Sequence, residues 1–124
     1  MILEDLTTFL VAALPSDSIT YGQMPDEPDN AITLYEYAGS PPLRTHDGKK
    51  LLRPSVQVMV RGKDYKVARQ KLEAIEALFE AVVNQTIGAA YYTRIFAIQS
   101  AFPLPGWKDN YVWLAQNFGV ELEG

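Results

Sequence analysis

The single histidine is the natural start of a search for chemistry, because an imidazole can act as a general base or a metal ligand near neutral pH. His46 stands between Thr45 and Asp47, and an aspartate can orient a catalytic histidine. Hydroxyl groups that could act as a nucleophile are available by composition alone, on Ser40, Thr45 and Ser55. No Gly-x-Ser-x-Gly pattern positions any of them, and no second histidine could share a metal. We therefore interpret His46 as a polar loop residue beside a turn.

Three carboxylates, on Asp26, Glu27 and Asp29, lie in a proline-containing loop and could supply an acid–base pair or ligands for a hard cation. Their spacing does not match a calcium-binding loop and lacks its closing bidentate glutamate. Cysteine is absent and the eight glycines are scattered singly, which excludes thiolate chemistry and a phosphate-binding glycine loop. We predict that the protein is not an enzyme and uses no metal or cofactor. The alternative is a small enzyme or ligand-binding module built on these carboxylates and His46.

The composition predicts one folded domain over residues 1–124, since 48% of the residues are hydrophobic and 21% are charged. A net charge of -4 argues against a protein whose main task is to grip a nucleic-acid backbone. The first residues include Glu4 and Asp5, where a secretory signal needs basic residues. No apolar run approaches the roughly 20 residues that span a bilayer. We therefore expect neither export nor membrane insertion.

The spacing of apolar residues predicts two amphipathic helices that must position these groups. The first spans residues 2–14 and is ended by Pro15. The second is capped by Asp64 and should end between Asn84 and Gly88. Its apolar stripe consists of Ala68, Leu72, Ile75, Phe79, Val82 and Val83.

The remaining segments predict five strands. Four of them lie at residues 19–22, 31–37, 54–61 and 89–102, and the fifth follows a turn at residues 103–110. Residues 23–30 are interpreted as a solvated loop. On the last strand one face is apolar and consists of Val112, Leu114, Phe118, Val120 and Leu122. The order α-β-β-β-α-β-β indicates an α+β fold, in which both helices pack on one side of an antiparallel sheet of four to five strands.

Between two of these strands, residues 39–53 predict a projecting hairpin arm, because Asp47-Gly48 favours a tight turn. The arm carries Arg44, Lys49, Lys50 and Arg53 in an otherwise acidic chain. It could contact an acidic surface on a neighbouring copy or on a partner, or DNA passing nearby. Alternatively, the lysines only protect an exposed sheet edge from aggregation.

Aromatic residues indicate a second interaction surface, because strand faces opposite the core carry tyrosine and tryptophan, which anchor protein interfaces. Alternatively, the first helix or the arm covers them within one chain. The predicted subunit or partner interface comprises Tyr35, Tyr37, Arg44, His46, Lys49, Lys50, Arg53, Tyr111 and Trp113. Within this set the candidates for contact with DNA or an acidic partner are Arg44, Lys49, Lys50 and Arg53.

Three stretches resemble the tail terminator, or minor capsid, family of bacteriophages. They are the strand Pro-Ser-Val-Gln-Val-Met-Val-Arg-Gly at 54–62, the helix start Asp-Tyr-Lys-Val-Ala-Arg at 64–69, and Ala-Gln-Asn-Phe-Gly-Val at 115–120. The resemblance implies a virion protein that forms a hexameric ring on the tail tube, stops tube growth and offers a surface to the head connector or head-closure protein. DNA would pass transiently through the lumen, and assembly would occur in the host cytoplasm. The alternative within phages is a head-closure protein or a tail tube subunit.

Overall fold

The computed structural model describes residues 2–44, 46, 48–104 and 111–124. Two helices and seven strands are formed there, with short connections between most of them. In chain order they are α1 (Ile2–Ala13), β1 (Ile19–Tyr21), β2 (Ala31–Arg44), β3 (Lys50–Gly62), α2 (Tyr65–Glu80), β4 (Val83–Ile87), β5 (Ala90–Ala97), β6 (Phe102–Pro103) and β7 (Val112–Glu123).

The strands form one sheet in the order β1-β2-β3-β7-β5-β4, and β6 pairs with β7 beside the end of β5. The pairing of β1 with β2 is parallel, whereas the other pairs are antiparallel. The prediction of an α+β fold with two helices is confirmed. The predicted four to five strands and the wholly antiparallel sheet are wrong, because two further short strands form and β1 runs parallel to its neighbour.

The core lies between the two helices and one face of the sheet. Val56, Val58 and Val60 of β3 are buried on this face, as the alternation predicts. From α2, Phe79 packs edge-on against Phe118 of β7, with ring centroids 5.1 Å apart, and stacks on Phe9 of α1. The apolar face of β7 is also in this core, as predicted, with Leu114, Phe118, Val120 and Leu122 all buried.

The second helix begins as predicted and ends early. The Asp64 side chain accepts hydrogen bonds from the backbone N–H groups of Lys66 and Val67, which satisfies two donors of the first turn. The helix stops at Glu80, although the apolar stripe continues through Val82 and Val83. These valines instead lead into β4, and the predicted helix end at residues 84–88 is wrong. Gly88, with φ +63°, supplies the β4–β5 turn rather than a helix cap.

The predicted arm is a long β-hairpin formed by the distal halves of β2 and β3. Pairing continues through Ser40 with Arg53 to Arg44 with Lys50, so both strands run farther than predicted. Pro41 and Pro42 do not end β2, because they lie where the register shifts, between Ser40 and Leu43. The sheet tolerates proline at such a bulge on an edge strand, since no ladder hydrogen bond is lost.

Candidate functional site: the basic arm and the second face of the sheet

The arm is supported along one of its two strands. β7 pairs with β3 as far as Leu51 and Leu52, and the Gly124 N–H donates to the Lys50 carbonyl at 2.8 Å. Across the hairpin, the Arg53 Nε donates to the Pro41 carbonyl at 2.8 Å. Gly39 packs so closely that a Cβ there would lie 2.6 Å from the Arg53 carbonyl oxygen. The arm is therefore a braced hairpin whose outer strand beyond β1 is open to solvent.

Most of the predicted arm contacts lie on this outer part. Arg44, His46, Lys49 and Lys50 are exposed near the tip, and Arg53 is half-buried at the base. Thr45 and Asp47 lie outside the described residues. The structure thus brings four basic residues of the predicted set together on one projection, and its charge can meet an acidic surface.

The sheet face opposite the helices, here called the second face, carries the predicted aromatic residues. Tyr37 is 50% exposed on this face. Tyr35 is half-buried, and its hydroxyl accepts a hydrogen bond from the Met24 N–H at 3.0 Å. Trp113 is only 8% exposed, so the expectation of an exposed aromatic surface around it is wrong. Loop 22–30, rather than α1 or the arm, folds over this end of the second face.

Arg61 is the reason why the loop is held there. It projects from β3 onto the second face and is 6% exposed. Its Nε donates to the Asp29 carbonyl at 3.0 Å, and its Nη2 donates to the carbonyls of Asp26 and Pro28 at 3.3 and 2.5 Å. The guanidinium also lies over Tyr111 and Trp113, 5.4 and 5.7 Å from their ring centroids. Hydrogen bonds and cation–π contacts together fix the loop to the sheet.

Asp29 completes this cluster by joining the loop to Tyr111, just before β7, and to Lys63, just after β3. Its carboxylate accepts a hydrogen bond from the Tyr111 hydroxyl at 2.5 Å and pairs with Lys63 at 3.2 Å. The Tyr111 hydrogen bond, followed by the Lys63 contact, lowers the pKa of Asp29. The same bond raises the pKa of Tyr111, and Asp29 raises the pKa of Lys63. The predicted residue Tyr111 therefore has a role within its own chain.

The arm end of the second face is open and was not singled out by the sequence. Gly119 of β7 leaves room for the Phe96 ring to lie flat over the sheet, since a Cβ there would come within 2.4 Å of it. Arg94 lies over that ring at 4.3 Å and donates to the Glu121 carboxylate at 3.0 Å. A cavity of about 340 Å³ adjoins these residues and Arg53. The register of β5 with β7 and that of β7 with β3 bring them together.

The arrangement does not support the alternative of an enzyme built on the acidic loop and His46. The loop precedes Ala31 and the histidine follows Arg44, so they lie at opposite ends of β2, roughly 40 Å apart along the strand. In the described part of the chain, no group of three acidic, histidine or cysteine residues could hold a metal ion. Over the same residues, no helix is long and apolar enough to cross a membrane.

Comparisons with known proteins agree with this architecture. A solved chain from the "Virion of native gene transfer agent (GTA) particle" superposes with a TM-score of 0.59 at 12% identity, covering 93% of this chain and 84% of that one. A second solved chain, described without a function, superposes with a TM-score of 0.60 at 16% identity, covering 99% and 91%. At such identities the likeness shows the fold alone. No curated protein matches by sequence.

A family model described as "Bacteriophage tail terminator protein" matches residues 6–117. The matched stretch contains α2 and β1 to β6 in full, together with most of α1 and the first half of β7. It includes the whole arm and all of the second-face cluster around Arg61. The chain therefore belongs to the bacteriophage tail terminator family, which is a family of structural phage proteins.

Proposed function

We propose that this protein forms a ring of identical subunits, most simply a hexamer, on the end of a phage tail tube. There it stops tube growth and offers a surface for joining the head. Its partners are further copies of itself, the tail tube protein, and a head connector or head-closure protein, with DNA passing through the lumen. The protein assembles in the host cytoplasm and remains in the neck region of the virion. The observation that carries this proposal is the family match over residues 6–117.

The fold supplies what a ring subunit needs. A ring requires two different surfaces on opposite sides of each subunit, so that head-to-tail contacts close on rotation. In this sheet β1 and β4 form opposite edges, and the arm, formed by the distal halves of β2 and β3, extends past the end of β1. The two ends of the sheet also differ, because one carries the basic arm and the other the acidic loop. These asymmetries suit head-to-tail assembly better than two-fold pairing.

We assign the contacts to the exposed members of the predicted set. Tyr37, Arg44, His46, Lys49, Lys50 and Arg53 would meet a neighbouring copy, the tube or DNA. The three remaining members, Tyr35, Tyr111 and Trp113, would act indirectly, because they hold loop 22–30 in place.

Growth of the tail tube in vitro tests the proposal. Purified tube protein of the same phage is polymerised with and without this chain, and tube lengths are measured by electron microscopy. We expect short tubes whose length depends on the amount of protein added. The double substitution Arg44→Glu with Lys50→Glu should weaken the effect at least tenfold if the arm makes the contacts. The matched control reverses Lys66 and Arg69 on α2, where Lys66 is exposed and the Arg69 side chain is 37% exposed.

The same assay separates the two alternatives within phages. A tube subunit would enter the tubes along their whole length, and a head-closure protein would bind heads and leave tube growth unchanged. The likeness to a virion chain does not distinguish these roles, since at 12% identity it shows the fold alone. Unchanged tube lengths with the wild-type chain would therefore contradict the terminator proposal.

A further inference from the structure

The open end of the second face contains an arginine that its neighbours hold in position and that remains exposed. Arg94 is stacked on Phe96 and bonded to Glu121, yet its side chain remains 55% exposed. An arginine fixed in this way loses little conformational entropy on binding, and its remaining N–H groups can bind a carboxylate in a fork. The phenylalanine lies flat only because Gly119 has no side chain. Arg94, Phe96 and Gly119 therefore form a defined arrangement, here called the platform.

The surroundings of this platform resemble the centre of a protein interface. Ile98 and Arg53 line the cavity, and Ile98 is 51% exposed. Tyr37, which is 50% exposed, pairs with Ser55 of the same lining. Tyrosine and arginine are among the residue types that contribute most to protein binding. A partner segment that carries a carboxylate and some apolar surface would fit here.

A segment with this chemistry is present in the same chain. Loop 22–30 exposes the side chains of Asp26 and Glu27 next to Pro25 and Pro28. Neither carboxylate forms an ion pair with any residue that the structure describes. Because Arg61 binds three backbone carbonyls of the loop, the loop presents these carboxylates in a fixed position. Arg94 already pairs with Glu121, so the positive charge that would meet this loop comes from the remaining N–H groups of Arg94 together with Arg53 of the cavity lining.

The loop cannot reach the platform of its own chain. It is anchored beside Ala31, whereas the platform lies beside Tyr37, about 20 Å farther along the strand direction. The loop also joins β1 to β2 at one edge of the sheet, and Arg94 is on β5 near the other edge. Although the loop crosses the second face to contact Arg61 and Tyr111, it lies at the end of the sheet opposite to the platform. The two are therefore different surfaces of one subunit, as a head-to-tail contact requires.

We propose that the acidic loop of one copy docks on the Arg94–Phe96 platform of the next copy, with Glu27 or Asp26 bound to Arg94. This inference rests on the proposed ring and names one of its contacts. A second copy is the favoured occupant, since the chain itself offers both complementary surfaces. If the platform bound the tube protein instead, the acidic loop would not take part in that contact.

Crosslinking on capped tubes tests this contact directly, because the natural chain has no cysteine. The variant Glu27→Cys with Arg94→Cys is treated with a short bismaleimide linker, since a glutamate–arginine pair keeps its Cα atoms too far apart for a disulfide. We expect a ladder of covalent multimers on denaturing gels. The matched control, Glu27→Cys with Arg69→Cys, places the second cysteine on α2 and should give no ladder.

A charge exchange gives an independent measurement. Arg94→Glu alone and Glu27→Arg alone should each weaken self-association on tubes at least tenfold, and the two together should recover to within about threefold of the wild type. Three results would overturn the docking proposal while the terminator role stands. They are capped tubes with no ladder, a ladder of equal strength in the control, and no recovery in the double variant. Failure of the wild-type chain to cap tubes would contradict both.

Discussion

Replacing Arg61 should show how strongly the second face is held together. The substitution Arg61→Met removes three hydrogen bonds to loop carbonyls and the contacts with two aromatic rings. Hydrogen bonds from a charged donor contribute about 1.5 to 3 kcal/mol each, so the three bonds together would contribute about 4.5 to 9 kcal/mol. Two effects reduce this figure: the carbonyls of Asp26 and Pro28 belong to exposed residues and regain water, and a buried guanidinium no longer has to be desolvated.

We therefore expect the free energy of unfolding to fall by about 3 kcal/mol, which corresponds to a melting temperature lower by roughly 10 °C for a domain of this size. Urea denaturation measures the first quantity and a thermal scan the second. Arg61→Lys keeps the charge but cannot reach all three carbonyls, so it should show most of the loss. Lys63→Met, at an ion pair whose lysine is 66% exposed, should change stability by less than about 0.5 kcal/mol. An Arg61→Met protein as stable as the Lys63→Met protein would refute the role of Arg61 in holding the loop.

Three further predictions concern single side chains. Gly119→Ala should destabilise the fold by about 1 to 3 kcal/mol, because the new Cβ overlaps the Phe96 ring, and urea denaturation should show no such loss when Phe96 is also replaced by alanine. Asp64→Ala should cost about 1 kcal/mol in urea denaturation through loss of the α2 cap, whereas Asp64→Asn should retain most of the stability. The lowered pKa of Asp29 means that its stabilising effect is present above the ordinary value of 3.8 and is lost as the pH falls through the folded value. Urea midpoints at neutral and acidic pH should therefore differ less in Asp29→Asn than in the wild type; an equal difference would contradict the assignment.

The sequence predicted the elements that depend on simple periodicity. The valines of β3 and the stripe of α2 alternate or repeat without interruption, so their faces could be assigned before the structure was known. The end of α2 could not, because Val82 and Val83 continue the helical stripe while β-branched residues also suit the strand that forms there. Pairing with β5 decides in favour of the strand. The direction of β1 was unpredictable for a similar reason, since three residues carry no signal about it.

The arm could be recognised from the sequence, whereas the second face could be predicted only in part. A run of basic residues around a tight-turn signal in an acidic chain is visible without a structure. Periodicity assigned Tyr111 and Trp113 to the correct face but could not reveal that Arg61, about 50 residues earlier in the chain, would lie over both rings. The platform formed by Arg94, Phe96 and Gly119 depends on the register between two distant strands. No local pattern encodes that register.

Assembly of this protein as a ring on the end of the tail tube is most directly tested by electron microscopy of tube ends. Tubes are incubated with the purified chain, and images of their ends are averaged along the tube axis. We expect a single closed ring of subunits at one end of each tube, with no density of this chain along the tube wall. Bare ends with the chain remaining monomeric in solution, or incorporation along the whole tube, would contradict the proposed role.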